Sequence, residues 1–124
     1  MQNRTTTADL LSSALPIGNT MLPAVLHLNL TKKWFDMIEA GEKKEEYREI
    51  KPFWNRVFSC YIKIKGRNYH PTDVLICFSN GYSKNRRQMF VRCKYVKPGF
   101  GKPEWGAEPN KQYHVLSLGD VVRA

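Results

Sequence analysis

Five consecutive apolar residues, Val74-Leu75-Ile76-Cys77-Phe78, stand in the middle of the chain with no polar side chain among them. A strand wetted on one face alternates, so an unbroken run of this length predicts a strand covered on both faces, the central strand of a small barrel. Other strands are expected around it. Ala24 to Leu30 alternates, Leu26, Leu28 and Leu30 falling opposite Val25, His27 and Asn29. Asn80-Gly81 signals a turn. After it, Gln88 to Val96 places Met89, Val91, Cys93 and Tyr95 on one face and Phe90, Arg92, Lys94 and Val96 on the other, an antiparallel strand with a basic outer side. Tyr113 to Leu118 is the final strand.

Two short helices fit between the first strand and the centre. Thr31 is placed to cap the first through Oγ, and Trp34, Phe35, Met37 and Ile38 share one arc of it. A Trp and Met face at helical spacing reads as core. Pro52 suits the first turn of the second helix, Pro52 to Phe58, with Phe53, Trp54, Val57 and Phe58 inward. Cys60 to Lys65 reads as strand or helix extension, and Gly66 to Thr72 as a polar connection. Lys97 to Asn110 holds three Pro and three Gly and is expected to be one long irregular loop, of the kind that is commonly functional or mobile. Residues 1–22, rich in Thr, Ser, Asn and Gln around a small apolar patch at Leu10, Leu11, Ala14 and Leu15, read as a flexible arm before a single domain at 23–124. The expected class is α+β, a small and mostly antiparallel β-barrel with flanking short helices.

A chain of 124 residues can bury a core without disulfide staples. Cys60, Cys77 and Cys93 are odd in number and lack C-x-x-C spacing, so they read as reduced, mostly buried thiols of a cytoplasmic protein. His27, His70 and His114 are scattered, and neither a metal nor a cofactor is expected. No apolar run approaches a membrane span, and the N-terminus is a poor signal peptide.

The formal charge of +9 is unevenly spread. Residues 1–50 hold six Lys or Arg against seven Asp or Glu, whereas residues 51–124 hold fourteen against four. A basic half of this kind favours a polyanionic partner, because each cation set on a phosphate releases condensed counterions. Tyr82, Lys84, Arg86 and Arg87, then Phe100, Lys102 and Trp105, interleave rings with cations as single-stranded nucleic acid recognition requires.

The densest ionic chemistry is Gly41-Glu42-Lys43-Lys44-Glu45-Glu46-Tyr47-Arg48. Gly41 is placed to end the helix in the left-handed conformation, and an extended segment can follow at once. Alternation then puts Lys44, Glu46 and Arg48 on one face, Glu46 and Arg48 roughly 6–7 Å apart, and Glu45, Tyr47 and Glu49 on the other. Lys43 reaches over the same spot from the turn. The result is a compact site of mixed charge, able to hold an anion or a polar heterocycle.

Gly41-x-Lys43-x-x-Glu46-x-Arg48 resembles the G-x-K-x-x-E-x-R signature of the ASCH family, small β-barrels related to PUA RNA-binding domains. The resemblance spans roughly residues 24 to 118. It implies a cleft between barrel and helices, with Lys43, Glu46 and Arg48 beside it and RNA, a nucleotide or a modified base as ligand. Lys84, Arg86, Arg87 and Trp105 are the expected outer contacts. The resemblance also admits a hydrolase, since one family activity removes the acyl group of N4-acetylcytidine with the motif Lys assisting a Thr three residues later. That position is Glu46 here, a carboxylate that cannot act as the hydroxyl. Lys43 and Glu46 are the catalytic candidates of the second expectation, a hydrolase acting on a modified pyrimidine nucleoside or on RNA, with Glu46 as base in ribonuclease-like chemistry. A third expectation is an adaptor binding protein through the 97–110 loop.

Overall fold

The computed structural model describes residues 23–123, so the arm expected over residues 1–22 lies outside the described residues. In chain order the elements are β1 (Ala24–Leu30), α1 (Lys32–Glu39), β2 (Glu45–Glu49), α2 (Pro52–Val57), β3 (Ile62–Ile64), β4 (Arg67–Tyr69), β5 (Val74–Asn80), β6 (Gln88–Phe100) and β7 (Gln112–Val121). Single 3-10 turns occupy Pro71–Asp73 and Pro103–Trp105. Five strands form one sheet in the order β1-β5-β6-β7-β2, with β1 parallel to β5 and the other pairs antiparallel. The sheet curls into a half-barrel with two short helices, an α+β fold.

The concave face carries the main core. Leu28 and Leu30 of β1, Val74, Ile76 and Phe78 of β5, and Leu116 and Leu118 of β7 pack there against Phe35 and Ile38 of α1. Burying a side chain such as Phe35, fully shielded from water, contributes about 1.5–3 kcal/mol. Leu75, Cys77 and Phe90 form a second small cluster on the opposite face. The apolar run is thus buried on both sides as expected, although β6, not β5, is the middle strand.

Several local expectations are corrected. Tyr95 is exposed and Val96 buried, because register shifts between Val91 and Tyr95 turn the alternation over. Residues 97–100 continue β6 instead of opening a loop, and Pro98 pairs with His114. β5 pairs with β6 only as far as Arg92, so this end of β6 has a free edge that tolerates a residue without an N–H. The stretch from 62 to 69 is a hairpin whose two turn residues, Lys65 and Gly66, both have positive φ, as a primed two-residue turn demands. Thr31 caps α1 without a side-chain hydrogen bond, Phe53 of α2 is exposed, and Cys60 is exposed while the other two thiols are buried.

Candidate functional site

Gly41, at φ +78°, ends α1, and the amides of Glu42 and Lys43 both donate to the Met37 carbonyl at 2.9 and 3.1 Å. This tight turn drives the Lys43 side chain inward, where it is fully buried. Its ammonium meets three acceptors: the Glu45 carbonyl, the Trp105 carbonyl at 2.9 Å and Glu46 Oε1 at 3.1 Å. An ammonium has three N–H groups, so every one is used. Burial pushes the Lys43 pKa down, and the Glu46 carboxylate opposes that push.

Glu46 and Arg48 lie opposite Leu116 and His114 of β7, so both side chains enter the concave face. Glu46 Oε2 accepts from Arg48 Nη2 at 2.8 Å. The same Nη2 donates to the Asn29 carbonyl of β1 at 2.8 Å. β1 and β2 are the two edges of the sheet, so Arg48 bridges the seam at which the half-barrel fails to close. Its guanidinium also lies 5.1 Å from the centroid of the Trp54 ring. Arg48 Nε and Asn29 Oδ1 are buried there without hydrogen-bond partners among the described residues. The trio of Lys43, Glu46 and Arg48 carries one net positive charge.

Beside β2 lies a cleft of about 380 Å³, bounded by residues of both helices and of the stretch from Trp105 to Tyr113. Glu46 and Arg48 meet its aromatic walls: Trp34, Trp54, Trp105, Tyr47 and Tyr113. Each Trp is the third residue of its own helical element, α1, α2 and the 103–105 turn respectively. The segment after β6, expected as part of a long irregular loop, is fastened to β2 and β7. The Lys102 amide donates to Tyr47 Oη at 3.0 Å, and the Glu108 amide donates to Tyr113 Oη at 3.0 Å. Gly101 passes so close that a Cβ would stand 2.6 Å from Ala107 Cβ and 2.7 Å from the Tyr47 ring. Gly106, at φ +101°, faces the Trp34 indole at 2.9 Å from where a Cβ would be.

The motif residues Lys43, Glu46 and Arg48 therefore converge, and Trp105 joins them. Lys84, Arg86 and Arg87 do not line this cleft. Lys84 and Arg86 are exposed on the β5–β6 turn, where Arg86 Nη1 donates to the Ser83 carbonyl at 3.2 Å. Arg87 is tied to α1 by a 2.6 Å ion pair with Asp36 and lies 4.6 Å from the Phe35 ring. Trp34 and Trp54 pack against the core as expected but are only half-buried, and they also form cleft walls; Tyr47 and Tyr113 were not singled out at all. The usable signal was that each Trp falls in the first turn of its helix, where the chain has just left the sheet.

The arrangement is an electrostatically closed floor under aromatic walls. Lys43 has no spare N–H, and both Glu46 oxygens are paired, so neither is free for proton transfer or attack in this geometry. Arg48 lines the cleft, while its Nε is buried without a partner among the described residues. Among the described residues no three His, Cys, Asp or Glu side chains gather as a metal site. No family model, curated protein or solved structure matches this chain.

Proposed function

We propose that the protein is an ASCH-like, PUA-related module that binds RNA or a nucleotide, holding an unpaired base in the cleft. The observation that carries this is the meeting of Glu46 and Arg48 with three Trp rings on one 380 Å³ cleft, with Lys43 buried behind them and paired to Glu46. Flat rings stack on bases without regard to sequence, and an arginine held by a carboxylate presents its fork to phosphate or a base edge at little further ordering cost. Trp105 also borders a hollow whose lining sets Lys44, Lys94 and Lys102 against Glu45 and Asp120, one net positive charge beside the cleft. Lys84, Arg86 and Arg87 then contribute a more distant basic surface.

Titration of tryptophan fluorescence with short single-stranded RNA tests this reading. Binding is expected, weakening steeply with salt, and Arg48→Ala should reduce affinity at least about tenfold by removing a charge-assisted contact. Unchanged affinity in a folded Arg48→Ala protein removes the motif from the account. The hydrolase reading has less support, because the polar atoms of Lys43 and Glu46 are taken up by each other, by two main-chain carbonyls and by Arg48.

A further inference from the structure

β2 is an edge strand, so half of its main-chain groups have no strand to pair with. The ladder determines which half. The Leu118 amide donates to the Lys44 carbonyl at 2.9 Å, and Glu46 and Arg48, opposite Leu116 and His114, share that phase. The N–H and C=O groups of Glu45, Tyr47 and Glu49 therefore point away from β7. Lys43 already occupies the Glu45 carbonyl. Tyr47 is the first residue beyond that cap whose N–H and C=O both lack a partner among the described residues, and it lines the cleft.

On an antiparallel edge, the N–H and C=O of one such residue form the closely spaced pair, a donor beside an acceptor. Nucleobases carry the complementary pattern, an acceptor beside a donor, on their pairing edge. We propose that the Tyr47 main chain reads the pairing edge of a nucleobase whose faces are covered by the cleft tryptophans. This rests on the nucleotide-binding reading and adds the atoms that recognise the base. The free stretch of edge is short: the Lys43 ammonium caps it at Glu45, and β2 ends at Glu49. An added peptide strand needs several successive rungs, whereas a single ring needs only one. Strand addition is therefore the poorer fit.

Calorimetric titration with uridine and guanosine 5′-monophosphates, and with their N3-methyl and N1-methyl counterparts, tests the inference. Methylation blocks the ring donor at the pairing edge and should weaken binding at least about tenfold. In a second protein the Tyr47 amide nitrogen is replaced by an ester oxygen with the phenol side chain retained. This variant should bind the parent nucleotides more weakly and show a smaller methylation penalty. Nucleotide binding with the same methylation penalty in both proteins would overturn the inference and leave the binding reading standing. If neither parent nucleotide binds the unmodified protein, the reading and the inference fall together.

Discussion

The ammonium of Lys43 lies 2.9 Å from the main-chain oxygen of Trp105, fastening the start of β2 to a turn 62 residues further along the chain. One buried cation thereby joins the two segments that form opposite walls of the cleft, and the Glu46 carboxylate balances its charge. The cleft's shape depends on this contact as much as on the sheet beneath it.

Lys43→Met keeps the aliphatic stem and removes the charge. It leaves Glu46 Oε1 and two carbonyls without their donor in a site closed to water. Breaking one side of a buried ion pair costs about 3–5 kcal/mol, and urea denaturation should show a loss of that order. A loss below about 1 kcal/mol, the level of an exposed ion pair, would mean that the ammonium is not held as described.

Glu46→Gln leaves two cations beside one another with no carboxylate between them. The variant should be less stable than the parent in dilute buffer. Phosphate should restore more stability to it than to the parent, because an anion bound to the native state alone stabilises by mass action. Thermal melts with and without phosphate at matched ionic strength measure the difference. Equal gains in both proteins would mean that the cleft offers those cations to no anion.

The period of two placed Glu46 and Arg48 on one face, and Gly41 marked the turn that swings Lys43 inward; these were legible because they depend on neighbours in sequence. The burial of Lys43 was not legible. Its three acceptors include one from the far end of the domain, and a lysine in a charge run carries no local sign that it will be enclosed. Trp34 and Trp54 do pack on the core, but their second role as cleft walls was not legible, because an apolar ring in a helical stripe carries no local sign of a cleft beside it. The extension of β6 was hidden by Pro98 and Gly99, which break strands in general but not on a free edge. The hairpin from 62 to 69 did have a local signal, Gly66 after Lys65 between two alternating triplets.

His114 is buried beside Phe58, their ring centroids 5.7 Å apart, with Nε2 placed to donate to Asn55 Oδ1 at 2.7 Å. Burial holds the imidazole below its ordinary value of 6.5. As pH falls through 6.5 the unfolded chain takes up this proton before the folded one does. Stability is therefore full above that value and declines toward the depressed folded pKa. Denaturation midpoints measured between about pH 5 and 7 should fall with pH, and His114→Gln should flatten that slope. A slope unchanged in the variant would assign the effect to other groups.

The three thiols should separate by reactivity. Cys60 is exposed, while burial raises the Cys77 thiol and pushes Cys93 up to about 12. The thiolate is the reacting form, so a maleimide at neutral pH should label Cys60 alone in the native protein and all three after unfolding. Peptide mass spectrometry identifies the site. Rapid native labelling at Cys93 would show that the β6 bulge opens to solvent.

Gly106→Ala tests whether the 103–105 turn holds the cleft in shape. At φ +101° an L side chain is strained, and its Cβ would press on the Trp34 indole from 2.9 Å. Neither strain can relax cheaply: the backbone before it is tied to Lys43 through Trp105, and the backbone after it to Tyr113 through Glu108. A loss of about 1–3 kcal/mol is expected, together with a change in tryptophan emission as Trp34 shifts. Gly81→Ala is the control, since it shares a positive φ but meets no atom within 4 Å. It should lose stability from backbone strain while keeping the emission and any nucleotide affinity of the parent. If Gly106→Ala lost stability but kept that emission and affinity, the turn would be a tether of the fold and not a wall that positions a ligand.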